Sequence, residues 1–134
     1  MKTKIVAMAG ASGLIGSHLS LSLKGFEFIR ISRKDFHMKD DEFAEKFREA
    51  DIIINLAGAP VIRRWTRRNR KDILESRIGT TRKLKVITDL DPGKHRLYIS
   101  ASAIGIYDDE NIHSEESTQW GKGYLAEVVI KWFQ

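Results

Sequence analysis

Cysteine is absent from this sequence of 134 residues, and so is any long apolar run. Without thiols the chain cannot form disulfide bonds, thiolate zinc sites or a thiol nucleophile. No run approaches the roughly 18 apolar residues that a membrane-spanning helix needs. The apolar stretch 5–8 after the basic start is too short for the core of a signal peptide, because Gly10 interrupts it. We therefore expect a cytoplasmic protein without a membrane span.

The composition bounds the metal content, the domain count and the partners. The four histidines are scattered without ligand spacing, so we predict no metal site. A hydrophobic fraction of 42% is enough for one packed core, and we expect residues 1–134 to form a single domain. The net charge of +5 suits an anionic partner, which could be a nucleotide, nucleic acid or acidic lipid. Charge alone does not choose among them.

Apolar periodicity switches between strand and helix along the chain. We predict strands at 4–9, 26–31, 52–56 and 96–100, a weak strand at 36–38, and helices at 14–23, 40–50, 69–90 and 121–133. The apolar run 52–56 is typical of a strand buried on both faces of a parallel sheet. This alternation predicts an α/β fold with a doubly wound parallel sheet of Rossmann type.

The first predicted strand passes into the first helix through the turn Gly10-Ala11-Ser12-Gly13-Leu14-Ile15-Gly16. Its G-x-x-G-x-x-G spacing is one residue longer than the general dinucleotide fingerprint. Gly10 would permit a tight turn, Gly13 would let the backbone approach a pyrophosphate, and Gly16 would allow close contact between helix and strand. The helix start attracts phosphates through its N–H groups and dipole. An ordinary glycine-rich turn is the alternative, but three glycines at this spacing between a strand and a helix favour dinucleotide binding by the whole turn.

The end of the second predicted strand bears on the choice of dinucleotide. NAD-preferring sites place Asp or Glu there to bind the ribose 2′-hydroxyl. This chain has Ser32 and Arg33 instead, and Arg33 can pair with a 2′-phosphate while Ser32 donates to it. The pattern favours NADP over NAD, with a solvated basic loop as the alternative.

Three segments together resemble the extended and atypical short-chain dehydrogenase/reductases of the NAD(P)-dependent epimerase/dehydratase family. They are the glycine turn, Asn55-Leu56-Ala57-Gly58 and Ser100-Ala101-Ser102-Ala103-Ile104-Gly105. A narrower likeness to the YfcH-like sugar-nucleotide-epimerase branch comes from Arg64-Trp65-Thr66, Ser76-Arg77 and Thr80-Thr81.

The resemblance implies a role for each matching position. Residues Asn55, Leu56, Ala57 and Gly58 would line the adenine and ribose pocket, and Ser100 and Ala101 would lie beside the nicotinamide. Ser102 would be the catalytic serine that hydrogen-bonds the reacting carbonyl or hydroxyl, and Arg33 would meet the 2′-phosphate. The implied activity is that of an NADP-dependent oxidoreductase or a nucleoside-diphosphate-sugar epimerase, with a sugar nucleotide as substrate.

The acid/base pair Tyr-x-x-x-Lys of the superfamily is incomplete here. Tyr124 is followed at the fourth place by Val128 rather than lysine. Tyr107, shortly after the serine segment, is a second tyrosine candidate, and Asp108 stands where the family commonly has glycine. Whether the chain is an enzyme therefore stays open, and a non-catalytic NADP(H)-binding sensor or assembly protein is the alternative.

Members of this family are much longer than this chain, so we expect a fold that is truncated before the substrate lobe. In the family, helices corresponding to 69–90 and 121–133 commonly build a dimer. With Trp132 and Phe133 near the last residue, the sequence predicts a homodimer through these two helices.

A basic cluster at residues 63–71 offers one further hypothesis. It holds six arginines and lysines in nine positions together with Trp65, a combination that occurs in nucleic-acid-binding proteins. A solvated helix start explains it as well. No recognition motif accompanies the cluster, so a nucleic-acid-binding module is the weakest of the alternatives.

Overall fold

The computed structural model describes residues 2–134. Within them lie four strands, four α-helices and two short 3₁₀ helices, at Asp35–His37 and Ile104–Ile106. In chain order the elements are β1 (Lys4–Ala9), α1 (Leu14–Ser22), β2 (Phe26–Ile31), α2 (Asp40–Lys46), β3 (Ile52–Asn55), α3 (Arg67–Leu90), β4 (Leu97–Ser100) and α4 (Tyr124–Trp132).

The strands form one parallel sheet in the order β2-β1-β3-β4. The chain moves from β1 to β2 on one side and then crosses to β3 on the other side of β1. Ala9 is in register with both Ile31 and Asn55, and Asn55 with Ser100, so the carboxyl ends of all four strands are level. The predicted doubly wound α/β fold is confirmed.

Helices cover both faces of the sheet. On one face Ala7, Ala9 and Ile53 pack with Phe43 and Phe47 from the region of α2 and with residues of α3. On the other face Val6, Met8 and Ile54 pack with Leu19 of α1. Because β1 is buried on both sides, its residues 6–9 are at most 2% exposed. β1 therefore fixes the position of the glycine turn that follows it.

One predicted strand is absent and several predicted helix bounds are wrong: the second helix ends at Lys46 rather than residue 50, and the last begins at Tyr124 rather than residue 121. The weak strand at 36–38 is absent, because β2 lies at the edge of the described sheet and Asp35 instead begins a 3₁₀ helix. Helix α3 starts at Arg67 rather than Asn69, because the Thr66 hydroxyl accepts a hydrogen bond from the Asn69 N–H and caps the helix.

Candidate functional site

The predicted site residues meet at the carboxyl edge of the sheet. Ser32 and Arg33 follow β2, the glycine turn follows β1, residues 56–58 follow β3, and Ala101 and Ser102 follow β4. The strand order reverses between β1 and β3, and such a switch point is where open α/β sheets bind ligands. The glycine turn and the segment after β3 lie on either side of this point.

Gly10 brings these two segments into contact. Its φ of +80° lies in the left-handed region, and a Cβ built on it would stand 2.7 Å from the Leu56 carbonyl carbon and 2.9 Å from the Ala57 nitrogen. The Leu56 N–H also donates to the Ala9 carbonyl at 3.0 Å. Only glycine therefore allows the backbone after β3 to pack directly against the turn.

The other two glycines shape the turn itself. Gly13 donates its N–H to the Gly10 carbonyl at 3.1 Å. A Cβ on buried Gly16 would clash with the Gly10 oxygen and lie 2.8 Å from the Ala11 Cα. The close contact at Gly16 is thus with the turn rather than with the strand, which corrects the reason given from the sequence.

The start of α1 faces this edge. Gly13 caps the helix without a side-chain hydrogen bond, and the first N–H groups of a helix have no intrahelical partners. Leu14 and Ile15 are 89% and 61% exposed, and Ser12 is exposed as well. The turn therefore offers backbone donors and two apolar side chains to a ligand at this edge.

Asn55 supports the segment after β3 from inside. It is 0% exposed, and its amide Nδ2 lies 3.3 Å from the Tyr98 hydroxyl and 3.4 Å from Thr81 Oγ1, within hydrogen-bonding distance of both. Its Oδ1 accepts the Ala57 N–H at 3.2 Å. The resemblance placed Asn55 in a cofactor pocket, but its side chain points into the core because it ties β3 to α3 and β4. The accessible part of this segment is Leu56, Ala57 and Gly58.

Two neighbouring side chains of α3 hold the same segment. The Ala59 N–H donates to Ser76 Oγ at 2.9 Å, and Arg77 Nη1 donates to the Ala59 carbonyl at 3.2 Å. A Cβ on Gly58 would approach the Arg77 guanidinium to 3.1 Å, so any other residue here would push the guanidinium slightly aside. We call Ser76 and Arg77 the α3 clamp.

The α3 clamp was missed as a functional feature by the sequence reasoning, which used Ser76-Arg77 only as a mark of resemblance. Arg77 also donates to the Ile73 carbonyl at 3.1 Å and lies 5.4 Å from the Trp132 ring of α4. Burial lowers the pKa of Arg77. An arginine with an adjacent serine on an otherwise apolar helix stripe is the signal that could have revealed the clamp.

At the β2 end, Ser32 is held by the buried carboxylate of Asp35. The Ser32 N–H and hydroxyl both donate to Asp35 Oδ2, at 2.7 and 2.8 Å. The serine proton expected to meet a phosphate is therefore directed to Asp35, while Arg33 is exposed to solvent. Burial raises the pKa of Asp35, but hydrogen bonds from Lys46 and Ser32 lower it more, leaving it below its ordinary value.

Ser102 lies in the non-helical segment just after β4. The Ala101 N–H donates to the Asn55 carbonyl at 2.9 Å, which extends the pairing of β4 with β3 up to that residue. Ser100 turns its hydroxyl to the Ala101 carbonyl at 3.1 Å. Ser102 is exposed, so its hydroxyl is accessible to a ligand at this edge.

The two tyrosine candidates line an aromatic cleft. This cleft, about 580 Å³ in volume, lies between the segment before α3 and the segment that leads into α4. Tyr107 stacks on His113 at 4.8 Å between ring centroids and lies 6.1 Å from Trp120. Trp65 meets Tyr124 edge to face at 5.3 Å. No pattern in the sequence indicated that these rings come together.

Tyr124 is held by the backbone of α3. Its hydroxyl donates to the Arg70 carbonyl at 2.5 Å, and the Arg70 guanidinium lies 5.1 Å from its ring centroid. Burial raises the pKa of this phenol, and the nearby arginines offset only part of that increase. A phenol is poorly suited to act as a base when its pKa is raised and its hydroxyl already donates to a backbone carbonyl, so this geometry favours a packing role for Tyr124.

The basic cluster at 63–71 is partly used within the chain. Arg63 lies 3.7 Å from the Asp72 carboxylate and donates to the Asn69 carbonyl, while Arg70 packs on Tyr124. The remaining members are exposed: Arg64, Arg67, Arg68 and Lys71. At least two of the six basic residues therefore have a structural explanation that does not involve nucleic acid.

Two further features bear on the kind of site. None of the helices formed by residues 2–134 combines the length and apolarity needed to cross a lipid bilayer. Across the same residues, no three histidine or acidic side chains form a group able to hold a metal ion.

Known proteins are similar to this chain in sequence and fold over nearly its whole length. Epimerase family protein YfhF of Bacillus subtilis is 29% identical, with 95% of this chain and 47% of that protein aligned. Epimerase family protein Mb2239 of Mycobacterium bovis is 32% identical over 98% of this chain and 48% of that protein. The crystal structure of human epimerase family protein SDR39U1 with NADPH has a TM-score of 0.82 at 26% identity, over 96% of this chain and 47% of that one.

The chain spans about half the length of the relatives that it matches. Residues 6–125 match the NAD dependent epimerase/dehydratase family, and this range takes in the glycine turn, the α3 clamp and Ser102. The resemblance seen in the sequence is confirmed: this chain belongs to the NAD dependent epimerase/dehydratase family.

Proposed function

We propose that this chain is the NADP(H)-binding part of an oxidoreductase or of a nucleoside-diphosphate-sugar epimerase-like protein, with residues 1–134 as one dinucleotide-binding domain. The observation that carries the proposal is the row of candidate residues along one edge: Arg33, the glycine turn, residues 56–58 and Ser102 follow β2, β1, β3 and β4. With strands about 4.8 Å apart, the row is about 14 Å long, which suits an extended dinucleotide. Human SDR39U1, a structural relative, was crystallised with NADPH.

The residues present fit such a cofactor. The pyrophosphate would lie against the N–H groups at the start of α1, where Gly13 leaves the backbone bare. Leu56, Ala57 and Gly58 would pass beside the adenosine half, and Arg33 would meet a 2′-phosphate. Ser100 and Ala101 would lie beside the nicotinamide at the opposite end of the row.

The chemistry would take place at the β4 end. A bound nicotinamide supplies or accepts a hydride. Ser102 would donate a hydrogen bond to the reacting carbonyl or hydroxyl oxygen of a substrate, for which a sugar nucleotide is the class we propose. Tyr107, on the wall of the aromatic cleft, is the better tyrosine candidate for moving a proton, because the Tyr124 hydroxyl already donates to Arg70.

Arg33 provides the test of cofactor choice. Calorimetric titration should show tighter binding of NADPH than of NADH, and Arg33→Ala should remove the difference while leaving NADH binding unchanged. An exposed arginine elsewhere, changed as Arg82→Ala, is the matched control. Equal affinities for the two dinucleotides in the original protein would reject the preference.

A non-catalytic NADP(H)-binding sensor or assembly protein is the second candidate. It is favoured by the occupied hydroxyl of Tyr124 and by Val128 at the place of the superfamily lysine. Mixing the protein with NADPH and a panel of keto and hydroxy sugar nucleotides separates the two. Loss of nicotinamide absorbance or conversion of the sugar nucleotide, either one abolished by Ser102→Ala, indicates an enzyme, whereas cofactor binding with neither change indicates a sensor.

We retain the homodimer through 69–90 and 121–133 as a proposal. Most apolar side chains of these helices face the core of the chain itself, and Leu90 and Phe133 stay 40% and 55% exposed. Sedimentation velocity over a range of concentrations tests it, and a monomer throughout the range would reject it.

A further inference from the structure

The turn that carries Arg33 is fixed by an ion pair between two elements. Asp35 is 6% exposed, and its Oδ2 accepts both the N–H and the hydroxyl of Ser32. Its other oxygen, Oδ1, accepts Lys46 Nζ of α2 at 2.6 Å. Both carboxylate oxygens are thus engaged, and the segment Ser32–Asp35 is closed by an additional backbone bond of 3.1 Å from the Asp35 N–H to the Ser32 carbonyl.

The sign of the charge at this corner matters for the choice of dinucleotide. An acidic side chain after the second strand binds the ribose 2′-hydroxyl of NAD and repels the 2′-phosphate of NADP. Asp35 lies only two residues beyond Arg33, so an unpaired carboxylate here would act against the arginine. Lys46 neutralises it, and the bonds to Ser32 direct its oxygens back toward the protein.

The residues around the pair are consistent with this role. Lys46 is about half exposed, so its ammonium remains hydrated while it reaches the buried carboxylate. Phe36, next to Asp35, packs on Phe43 of α2 at 5.6 Å between ring centroids, which fixes α2 and Lys46 relative to the turn. The geometry of the Ser32–Asp35 turn therefore depends on α2.

Building on the proposed NADP(H) function, we propose that Asp35 and Lys46 are specificity-determining positioning residues. Asp35 holds the turn in the shape that presents Arg33 to a 2′-phosphate, and Lys46 removes the repulsion that this carboxylate would exert on that phosphate. Neither residue touches the cofactor, and the preference for NADPH depends on the acceptor that position 35 offers to Ser32 and on the neutralisation of its charge by Lys46.

Three variants of the full chain test the proposal by calorimetric titration with NADPH and with NADH. Lys46→Met should weaken NADPH binding by about tenfold or more and leave NADH binding within about twofold, because the negative charge of Asp35 near the 2′-phosphate is then no longer neutralised. The double variant Asp35→Asn/Lys46→Met should recover most of the NADPH affinity, since the asparagine oxygen can still accept from Ser32. Asp35→Ala should lower the preference for NADPH, because Ser32 loses its acceptor.

A matched control uses another lysine–aspartate pair. Lys85 and Asp89 form an exposed pair at 2.7 Å on α3, and Lys85→Met with and without Asp89→Asn repeats the same charge changes away from the edge. Circular dichroism and thermal melting of each variant establish that it is folded.

The outcomes separate the two levels of the proposal. An original protein that binds neither dinucleotide would overturn the proposed function and this inference with it. The inference alone would be overturned if the original protein prefers NADPH and Lys46→Met leaves that preference unchanged. It would also be overturned if Lys46→Met weakens NADPH and NADH binding equally and the double variant does not recover. An equal loss in the Lys85 series would do the same, because the effect would then reflect net charge.

Discussion

Gly10 shows how one residue can decide the shape of the site. Its φ of +80° and its contact with the Leu56 and Ala57 backbone are separate requirements, and both must be met for the turn to close. Gly25 has a similar φ of +88°, yet a Cβ there would meet nothing within 4 Å. Comparing substitutions at the two glycines therefore separates two costs to stability: the backbone strain of a positive φ, and the steric overlap of a new Cβ with neighbouring backbone.

Alanine at each of these glycines should give different losses of stability. Gly25→Ala should lower the free energy of unfolding by about 1–2 kcal/mol, which is the strain of a left-handed residue. Gly10→Ala should lower it further, by about another 1–3 kcal/mol, because the new methyl overlaps backbone that cannot move aside. Urea unfolding measures both, and equal losses would show that the contact with residues 56–57 is not tight.

At the scale of elements, the α3 clamp joins a helix to the segment after β3. Consecutive side chains bind both backbone groups of Ala59, and Arg77 in turn packs on Trp132 of α4. Trp132 also donates its Nε1–H to Thr81 at 3.1 Å. Helices α3 and α4 thus support a segment of the candidate site that neither of them contains.

Removing the guanidinium should loosen that segment. Arg77→Met should reduce the free energy of unfolding by about 1–3 kcal/mol, because the partly buried Ala59 carbonyl loses its donor and Arg77 no longer packs on Trp132. The exposed Arg82 of the same helix is the control, and Arg82→Met should stay within about 0.5 kcal/mol of the original. Chemical denaturation gives both values, and hydrogen exchange should show faster exchange in residues 57–59 of Arg77→Met only.

The loop before α4 should respond to acid. In this loop, hydrogen bonds from His113 and Asn111 lower the pKa of Asp108 from 3.8 to about 2. Because the folded pKa is depressed, the stabilisation is complete above the ordinary value of 3.8 and is lost as the pH falls from there toward 2. The fluorescence of Trp120, near Tyr107, should therefore change in that interval. Asp108→Asn should show no such step, and a step that persists in the variant would assign it to another group.

At the scale of the whole molecule, β4 is one of the two edge strands of the described sheet, and it carries exposed apolar side chains. Leu97 and Ile99 lie on the α1 face and are 55% and 44% exposed. Exposed apolar edge strands promote pairing between molecules. We predict that this exposed strand promotes self-association of residues 1–134 by a route separate from helices α3 and α4.

A charge on this edge should keep molecules apart. Leu97→Lys should lower concentration-dependent light scattering and change the free energy of unfolding by no more than about 0.5 kcal/mol, as expected for a surface position. Ile62→Lys is the matched control, since Ile62 is 95% exposed and lies outside the sheet. An equal decrease in scattering for both variants would indicate a general effect of charge rather than of the edge.

The sequence by itself determined the doubly wound sheet, the glycine turn and the row of candidate residues after each strand. These features follow from local patterns, because apolar periodicity selects strand or helix and parallel strands bring their carboxyl ends to one edge. The prediction of a weak strand at 36–38 was wrong because a local pattern of a few apolar residues does not reveal whether a neighbouring strand exists to pair with it.

Only the tertiary structure decided which way the key side chains point. Asn55 turns inward to Tyr98 and Thr81, the Ser32 hydroxyl donates a hydrogen bond to Asp35, and the α3 clamp reaches Ala59 across 17 and 18 residues. Each partner is chosen by packing between elements distant in sequence, where a buried polar group must find a hydrogen bond. The sequence placed Asn55 and Ser32 near the site but missed the α3 clamp, and packing separated the residues exposed to a ligand from those that hold the site in shape.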